Sequence, residues 1–381
     1  MKKIVVIGPV PPYKGGLSHF NSSLVNELVK NNEVKVISWK RQYPKIIYPI
    51  DPIEKKDEHL IKENKDFLLD FYNPFSWFKA AKIINNMNPD IVIFTWLSPI
   101  VSPIYTTISH LIKTKSKIVC IAHNVLQHEG TFLDNILRKA FFKNVEYFIV
   151  HSNKDFEDSL KINKDKKTIL SFHPVYDMFK SNSKFTSRYN KKILFFGYIR
   201  EYKGLIYLIK AMPMIIKKID IKLLIVGEFW ENNGFINKFL TKFLTGKSRN
   251  NRKFYFDEIK RLGLEKNIEV IDSYVPNDSV GEYFARSDVL VLPYTSATQS
   301  GPIQISYNFN TPVICTDVGG LPELVENNKT GFVVHSKDPK ALADAVIRLY
   351  KNDKKKEFSD NIKKLKNKYS WKHYCDIIES L

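Results

Sequence analysis

The stretch 289–335, VLVLPYTSATQSGPIQISYNFNTPVICTDVGGLPELVENNKTGFVVH, constrains the chain more than any other. Two short apolar pieces, 289–292 and 312–315, flank small and polar residues from Thr295 to Gly301. A buried strand, a loop, a helix and a second strand is the economical reading. In an α/β sheet such a loop leaves the C-terminal end of a strand, where ligands bind. Ser300-Gly301 just ahead of a helix aims backbone N–H groups and the positive helix end outward, which suits an anion. The loop Asp317-Val318-Gly319-Gly320-Leu321-Pro322-Glu323 repeats the device, with two glycines for close backbone approach, a proline to start a helix and Glu323 in its first turn. Taken alone, either loop is read equally well as a tight strand-to-helix turn without a ligand.

The chain's 381 residues suffice for two domains, each with its own core. Hydrophobic content of 44% is ordinary for a globular protein. No apolar run reaches the roughly 18 residues of a transmembrane helix, and the best candidate, 91–105, is broken by Pro99 and Pro103. The apolar run after Met1 stops at Gly8-Pro9, too short for a signal peptide, and reads as a first strand. Cys120, Cys315 and Cys375 are widely spaced without metal-ligand partners and fit a reducing cytosol. The net charge of +19 leaves nucleic acid, an anionic membrane surface and polyanionic substrates open. No nucleic-acid-binding motif accompanies it, so nucleic acid is not an expected partner. Much of the excess is lysine, as in 351–368, where a solvated helix face is the ordinary explanation.

Further strands are expected at 3–8, 34–39, 90–96, 117–122, 147–151, 168–174, 192–197, 222–227 and 268–271, with helices between them. Ser152 and Asn153 are candidate caps for the helix that follows the strand at 147–151. The interval 176–190 is polar, rich in Ser, Lys and Asn, and lacks periodicity, as a linker would.

The run PVICTDVGGLPELVENNKTGFVV resembles the nucleotide-proximal half of the family 4 retaining glycosyltransferases, and the resemblance extends over nearly the whole chain. It implies the α/β GT-B fold, two Rossmann-like doubly wound domains facing a cleft. The expected division is an acceptor-side domain over 1–175, a linker over 176–190, a nucleotide-sugar-binding domain over 191–368, and a final helix in 369–381 crossing back to the first domain.

Site residues follow from the same resemblance. Gly15 and Gly16 match the paired glycines of the N-terminal loop, whose backbone approaches the donor phosphates. His123, at the end of the strand 117–122, matches a histidine close to the donor sugar; otherwise a lone His after a strand is usually structural. Lys203 and Gly204 match the family's G-R-L-x-x-x-K-G, whose Arg and Lys neutralise the diphosphate. The usual Arg position is Tyr198, and Arg200 stands two residues later, where a guanidinium still suits a phosphate oxygen. Glu228, Gln299, Ser300, Gly301, Gln304, Gly319, Gly320 and Glu323 complete the expected donor site. His128 and Glu129 are candidates for the acceptor side or for an ordinary loop, and the aromatic and basic stretch 40–57 is an acceptor-side loop or a packed surface loop.

The family's Glu-x7-Glu pair, which contacts the donor sugar and the ribose, is replaced by Ala297 and Ile305. Gln299-Ser300-Gly301 resembles a branch of the family with Gln-Ser-Gly in this place, and Pro302 removes one N–H that could have held donor oxygens. No Asp-x-Asp occurs in the chain, as in metal-independent GT-B chemistry, so no cofactor or metal is expected, and the donor, UDP- or GDP-linked, is a substrate. The segment 235–253 is an insertion relative to common relatives and has the pattern of a basic amphipathic helix. It suits either an anionic membrane interface or the protein's own core. The resulting expectation is a metal-independent hexosyltransferase of cell-surface polysaccharide biosynthesis with a glycan or lipid-linked acceptor, cytoplasmic and peripheral on the inner face of the membrane. A catalytically inactive glycosyltransferase-like binding protein and a GT-B sugar-nucleotide epimerase are the alternatives.

Overall fold

Apolar runs such as KIVVI, IVIFTW and KIVCIA are buried along their length, which suits parallel strands covered by helices on both faces. The computed structural model of the chain describes residues 1–43, 64–96, 98–126, 132–162, 165–181, 191–229 and 252–381. These divide into two units, Met1–Pro174 with Tyr369–Leu381, and Val175–Lys368.

The first unit contains β1 (Lys3–Ile7), β2 (Glu33–Arg41), β3 (Lys65–Asp70), β4 (Ile91–Trp96), β5 (Lys117–Ala122), β6 (Tyr147–Val150) and β7 (Lys167–Leu170). They pair in parallel in the order β3-β2-β1-β4-β5-β6-β7. The order reverses between β1 and β4, the place where doubly wound sheets open a crevice at their C-terminal ends. The edge strand β3 was not among the strands expected from sequence. The last helix, Trp371–Glu379, belongs to this unit, where Asn32 donates to Glu379 Oε1 at 2.6 Å and Tyr374 hydrogen-bonds His151.

The second unit contains β8 (Lys192–Phe196), β9 (Lys222–Val226), β10 (Ile268–Ile271), β11 (Val289–Leu292), β12 (Val313–Thr316) and β13 (Gly331–Val334), again parallel, in the order β10-β9-β8-β11-β12-β13. Its reversal lies between β8 and β11. Both units are therefore Rossmann-like, as expected from sequence.

The described part of the expected linker is not a free tether. Tyr176 and Phe179 are buried in the second unit, and Asn308 Nδ2 donates to the Phe179 carbonyl at 2.9 Å. Two aromatic side chains among polar neighbours are enough to fasten that stretch. Residues 182–190 lie outside the described residues, as do His128, Glu129, 44–57 and the segment 235–253 up to residue 251.

In the first unit the loop after β1 is pinned at its root. Asn21 Nδ2 donates to the Pro9 carbonyl at 2.7 Å and to Thr95 Oγ1 at 3.2 Å, and the Thr95 hydroxyl donates to the Ile7 carbonyl at 3.3 Å. A Cβ on Gly8 would lie 2.0 Å from Thr95 Oγ1 and 2.6 Å from Asn21 Nδ2. Gly8→Ala is therefore expected to destabilise the chain by about 1–3 kcal/mol through overpacking. A urea titration checks this, and an unchanged midpoint would show that the junction has room to spare.

Candidate active site

The second unit gathers its candidate residues at the C-terminal ends of β8, β9, β11 and β12. After β8 the chain passes Gly197 and enters a single 3-10 turn, Glu201–Lys203, with Arg200 at its N-cap and Gly204 closing it at φ 65°. Lys203 N donates to the Arg200 carbonyl and Gly204 N to that of Glu201, both at 3.0 Å. Thr295 N donates to the Tyr202 carbonyl at 2.7 Å and so ties this turn to the loop after β11.

The Lys203 ammonium is consequently aimed inward. Its Nζ lies so near Gly197 that a Cβ there would approach it to 2.7 Å, and it stands 5.7 Å from the centroid of the buried Tyr294 ring. Burial, and then the nearby charge of Arg200, push its pKa down to about 7. Among the described residues no carboxylate lies within 4.0 Å of it. Two cations, one of them buried, thus share a strand end, and Lys203 has no carboxylate beside it among the described residues.

The two loops of 289–335 meet. Gly320 N donates to the Thr298 carbonyl at 3.0 Å, and Gly319, at φ 54°, approaches Ala297 so closely that a Cβ would lie 1.7 Å from its carbonyl oxygen. Only glycine fits there, in both backbone conformation and space. Ser300 is the N-cap of the helix Gly301–Asn308 and lies beside the Tyr294 phenol, whose pKa burial raises. Glu323 sits in the first turn of Leu321–Leu324, and its N–H donates to the Gly320 carbonyl at 3.2 Å. The Glu228 carbonyl accepts from Ile199 N at 2.9 Å, so Glu228 stands beside the Arg200 turn. Gln299 is half-buried on the approach to Ser300.

The Glu-x7-Glu positions are not merely uncharged; Ala297 and Ile305 are both buried. Gln304, next to the second, is fully buried, and neither its Oε1 nor its Nε2 has a hydrogen-bond partner among the described residues. An amide left in that state costs about 1–3 kcal/mol.

In the first unit Gly15 stands at the N-cap of the helix Gly16–Leu28 with φ 105°, and a Cβ there would meet nothing within 4 Å. His123 follows β5, with its N–H donating to the Trp96 carbonyl at 2.9 Å. The turn after it is held by Asp155, which accepts from Val125 N at 2.9 Å and is itself fixed by the Ser152 cap: Asp155 N donates to Ser152 Oγ at 3.1 Å, and Ser152 Oγ to Asp155 Oδ2 at 2.7 Å. The capping role expected of Ser152 is thus met.

Sequence reasoning treated His123 as solitary, but it has two companions. His151 and His173, which follow β6 and β7, lie with it around Phe20, at ring-centroid distances of 5.2 Å (His123–His151), 6.1 Å (His123–His173) and 5.5 Å (His151–His173). His123 packs edge-on against Phe20 at 4.6 Å. Burial, reinforced by His173, pushes the His123 pKa down to about 3, so the imidazole is neutral at any ordinary pH. Trp371 and Tyr374 close the cluster, and His151 Nε2 hydrogen-bonds Tyr374 OH at 2.9 Å. Tyr294 beneath Lys203 was also missed; its only signal is an aromatic residue two positions past a buried strand.

Residues 179–365 match the family model described as Glycosyl transferases group 1. That region, most of the second unit, belongs to the family, and the two parallel Rossmann-like sheets have the fold of the GT-B glycosyltransferases. It is 25% identical over 287 residues to the N-acetyl-alpha-D-glucosaminyl L-malate synthase of Bacillus anthracis, covering 72% of this chain and 69% of that protein. It is 26% identical over 257 residues to the capsular polysaccharide biosynthesis glycosyltransferase CapM of Staphylococcus aureus, covering 64% and 60%. The chain spans less than two thirds of the length of CapM and of several other curated relatives that it matches. Alr3699/HepE of Anabaena, solved in complex with UDP, has the same fold, with a TM-score of 0.69 at 14% identity over the full length of both chains.

The buried ammonium has a consequence for stability. Between pH 7 and 10.5 Lys203 is protonated in the unfolded chain and increasingly deprotonated in the folded one, so its contribution makes the ligand-free fold more stable as pH rises through that window. Lys203→Met should flatten this rise and raise stability below pH 7. Urea midpoints at pH 6.5 and 9 test it, and parallel pH dependences in the two proteins would show that the amine is not buried.

Proposed function

We propose that the chain is a retaining glycosyltransferase that moves a hexose-type sugar from a nucleotide-diphosphate donor to a glycan or lipid-linked acceptor in cell-surface polysaccharide biosynthesis. The observation that carries this reading is the pair Arg200 and Lys203, a half-buried guanidinium and a buried ammonium without a carboxylate within 4.0 Å of the latter among the described residues. A departing diphosphate develops negative charge as the sugar–phosphate bond breaks, and fixed cations in a site of low dielectric stabilise that charge without reorganising. Diphosphate binding would restore the proton affinity that burial removes from Lys203.

The remaining roles follow. The N-terminus of Gly301–Asn308, with Ser300 at its cap, offers a positive helix end to a donor oxygen. Gly319 and Gly320 hold the loop after β12 tightly against it, and Gln304, whose amide has no partner among the described residues, supplies hydrogen bonds to the donor where the usual glutamate is missing. In the first unit the backbone at Gly15, where a Cβ would meet nothing within 4 Å, and at Gly16 beside it is suited to phosphate oxygens, and the neutral His123 orients a sugar hydroxyl and carries no proton charge into the reaction. With the configuration retained, a phosphate oxygen of the leaving group takes the acceptor hydroxyl's proton on the face from which it departs. The chemistry uses these residues without a metal ion.

The acceptor and the inner membrane face as its location rest on the charge of +19 and on the basic amphipathic pattern of 235–253, together with the capsular polysaccharide relative. Among the described residues no helix is long and apolar enough to cross a membrane. Buried apolar side chains at Ala297 and Ile305 favour one second reading, a protein that binds the donor without turning it over.

A thermal-shift panel of UDP, GDP, ADP and their sugar conjugates, followed by transfer to membrane lipid extract, tests the proposal. One nucleotide should stabilise the wild type, by about 2.7 kcal/mol at a hundred times its Kd, and Lys203→Ala far less, and its sugar conjugate should yield a product of retained anomeric configuration by NMR. Binding without transfer would establish the second reading, and no stabilisation by any nucleotide would refute both.

A further inference from the structure

The helix Pro74–Met87 in the first unit buries Ser76, Ala80, Ala81 and Ile84. Its other face presents Phe75, Phe78, Lys79 and Lys82, spaced three, four and seven residues along and therefore on one side. Phe75 is 82% exposed and Phe78 52%, and Tyr72, just ahead of the helix, is 57% exposed. Three large aromatic rings open to water on one short stretch exceed the scattered apolar residues of an ordinary surface.

Among the described residues the charge around these rings is one-sided. The helix carries two lysines and no acidic residue. The nearest acids on β3 are already neutralised: Asp70 is held by Arg41 through bonds of 3.0 and 2.8 Å, and Asp66 by Lys35 at 2.9 Å. The Arg41 guanidinium also lies over the Tyr72 ring, 4.8 Å from its centroid. The patch is thus aromatic at its centre and cationic at its rim. A second copy of the chain would set like charges against each other, on molecules that each carry +19. An anionic bilayer supplies opposite charge and, beneath it, a layer that accepts aromatic rings.

We propose that the face formed by Tyr72, Phe75, Phe78, Lys79 and Lys82 docks on the surface of an anionic lipid bilayer. The rings enter the boundary between headgroups and acyl chains, and the two ammonium groups reach the lipid phosphates. This surface is separate from the segment 235–253 and does not depend on the transfer reaction, so it stands or falls without a donor present.

Co-sedimentation of the full chain with vesicles of phosphatidylcholine alone, and of phosphatidylcholine with phosphatidylglycerol, tests it directly. The wild type should partition to the anionic vesicles and release them as salt rises. Phe75→Ser/Phe78→Ser and, separately, Lys79→Glu/Lys82→Glu should each weaken partitioning by about tenfold or more, with unchanged urea midpoints. Wild-type partitioning in both variants would place membrane binding elsewhere on the chain, and failure of the wild type to bind anionic vesicles would overturn the proposal outright. A loss of self-association in the phenylalanine variant, with vesicle binding intact, would assign the face to a second copy.

Discussion

An ammonium group taken out of water is unfavourable unless an anion stands beside it, and Lys203 is held in that condition by the fold itself. The 3-10 turn after β8 points it at Gly197, the Tyr294 ring covers it, and Arg200 adds a second positive charge. None of these features helps the ligand-free chain, because burial and like charge both oppose protonation. Under the proposed function they make sense together as an anion site, with the cost of burying the charge already met before the diphosphate arrives. A helix start at Gly301, joined to the same place through Tyr294 and Ser300, points the same way.

Within each unit, topology sets where the candidate residues stand. In each unit the strand order reverses once, between β1 and β4 and between β8 and β11, and the loops leaving those strands diverge there. Gly15 and Gly16 follow β1, Lys203 follows β8, and the Thr295–Gly301 loop follows β11. Helices covering both faces of each sheet keep the strands dry and rigid, so loops with unusual chemistry can be carried at one end without loosening the core.

The sequence revealed these loops because glycine, proline and lysine after a buried apolar run have few structural explanations. The run 289–335 showed its first strand, loop, helix and second strand almost residue by residue, but not the edge strand β13 at its end. What it did not show depended on neighbours far along the chain. β3 is an edge strand in which Lys65, Asp66 and Asp70 dilute the apolar pattern. His151 and His173 look ordinary until β5, β6 and β7 place them beside His123 around Phe20. Tyr176 and Phe179 lie in a polar stretch that reads as a tether, and only their packing in the second unit shows otherwise. The fully buried amide of Gln304 is likewise invisible from composition, since an Ile-Gln-Ile helix reads as half exposed.

On this proposal Lys203 waits, partly deprotonated, for a phosphate anion. Isothermal titration of the nucleoside diphosphate that binds, at pH 8 in buffers of different ionisation enthalpy, tests it most directly. Binding should take up a fraction of a proton approaching one, and Lys203→Met should abolish the uptake while retaining residual affinity through Arg200. Binding to the wild type without proton uptake would show that Lys203 is already charged before the anion arrives, and that no proton is gained on binding.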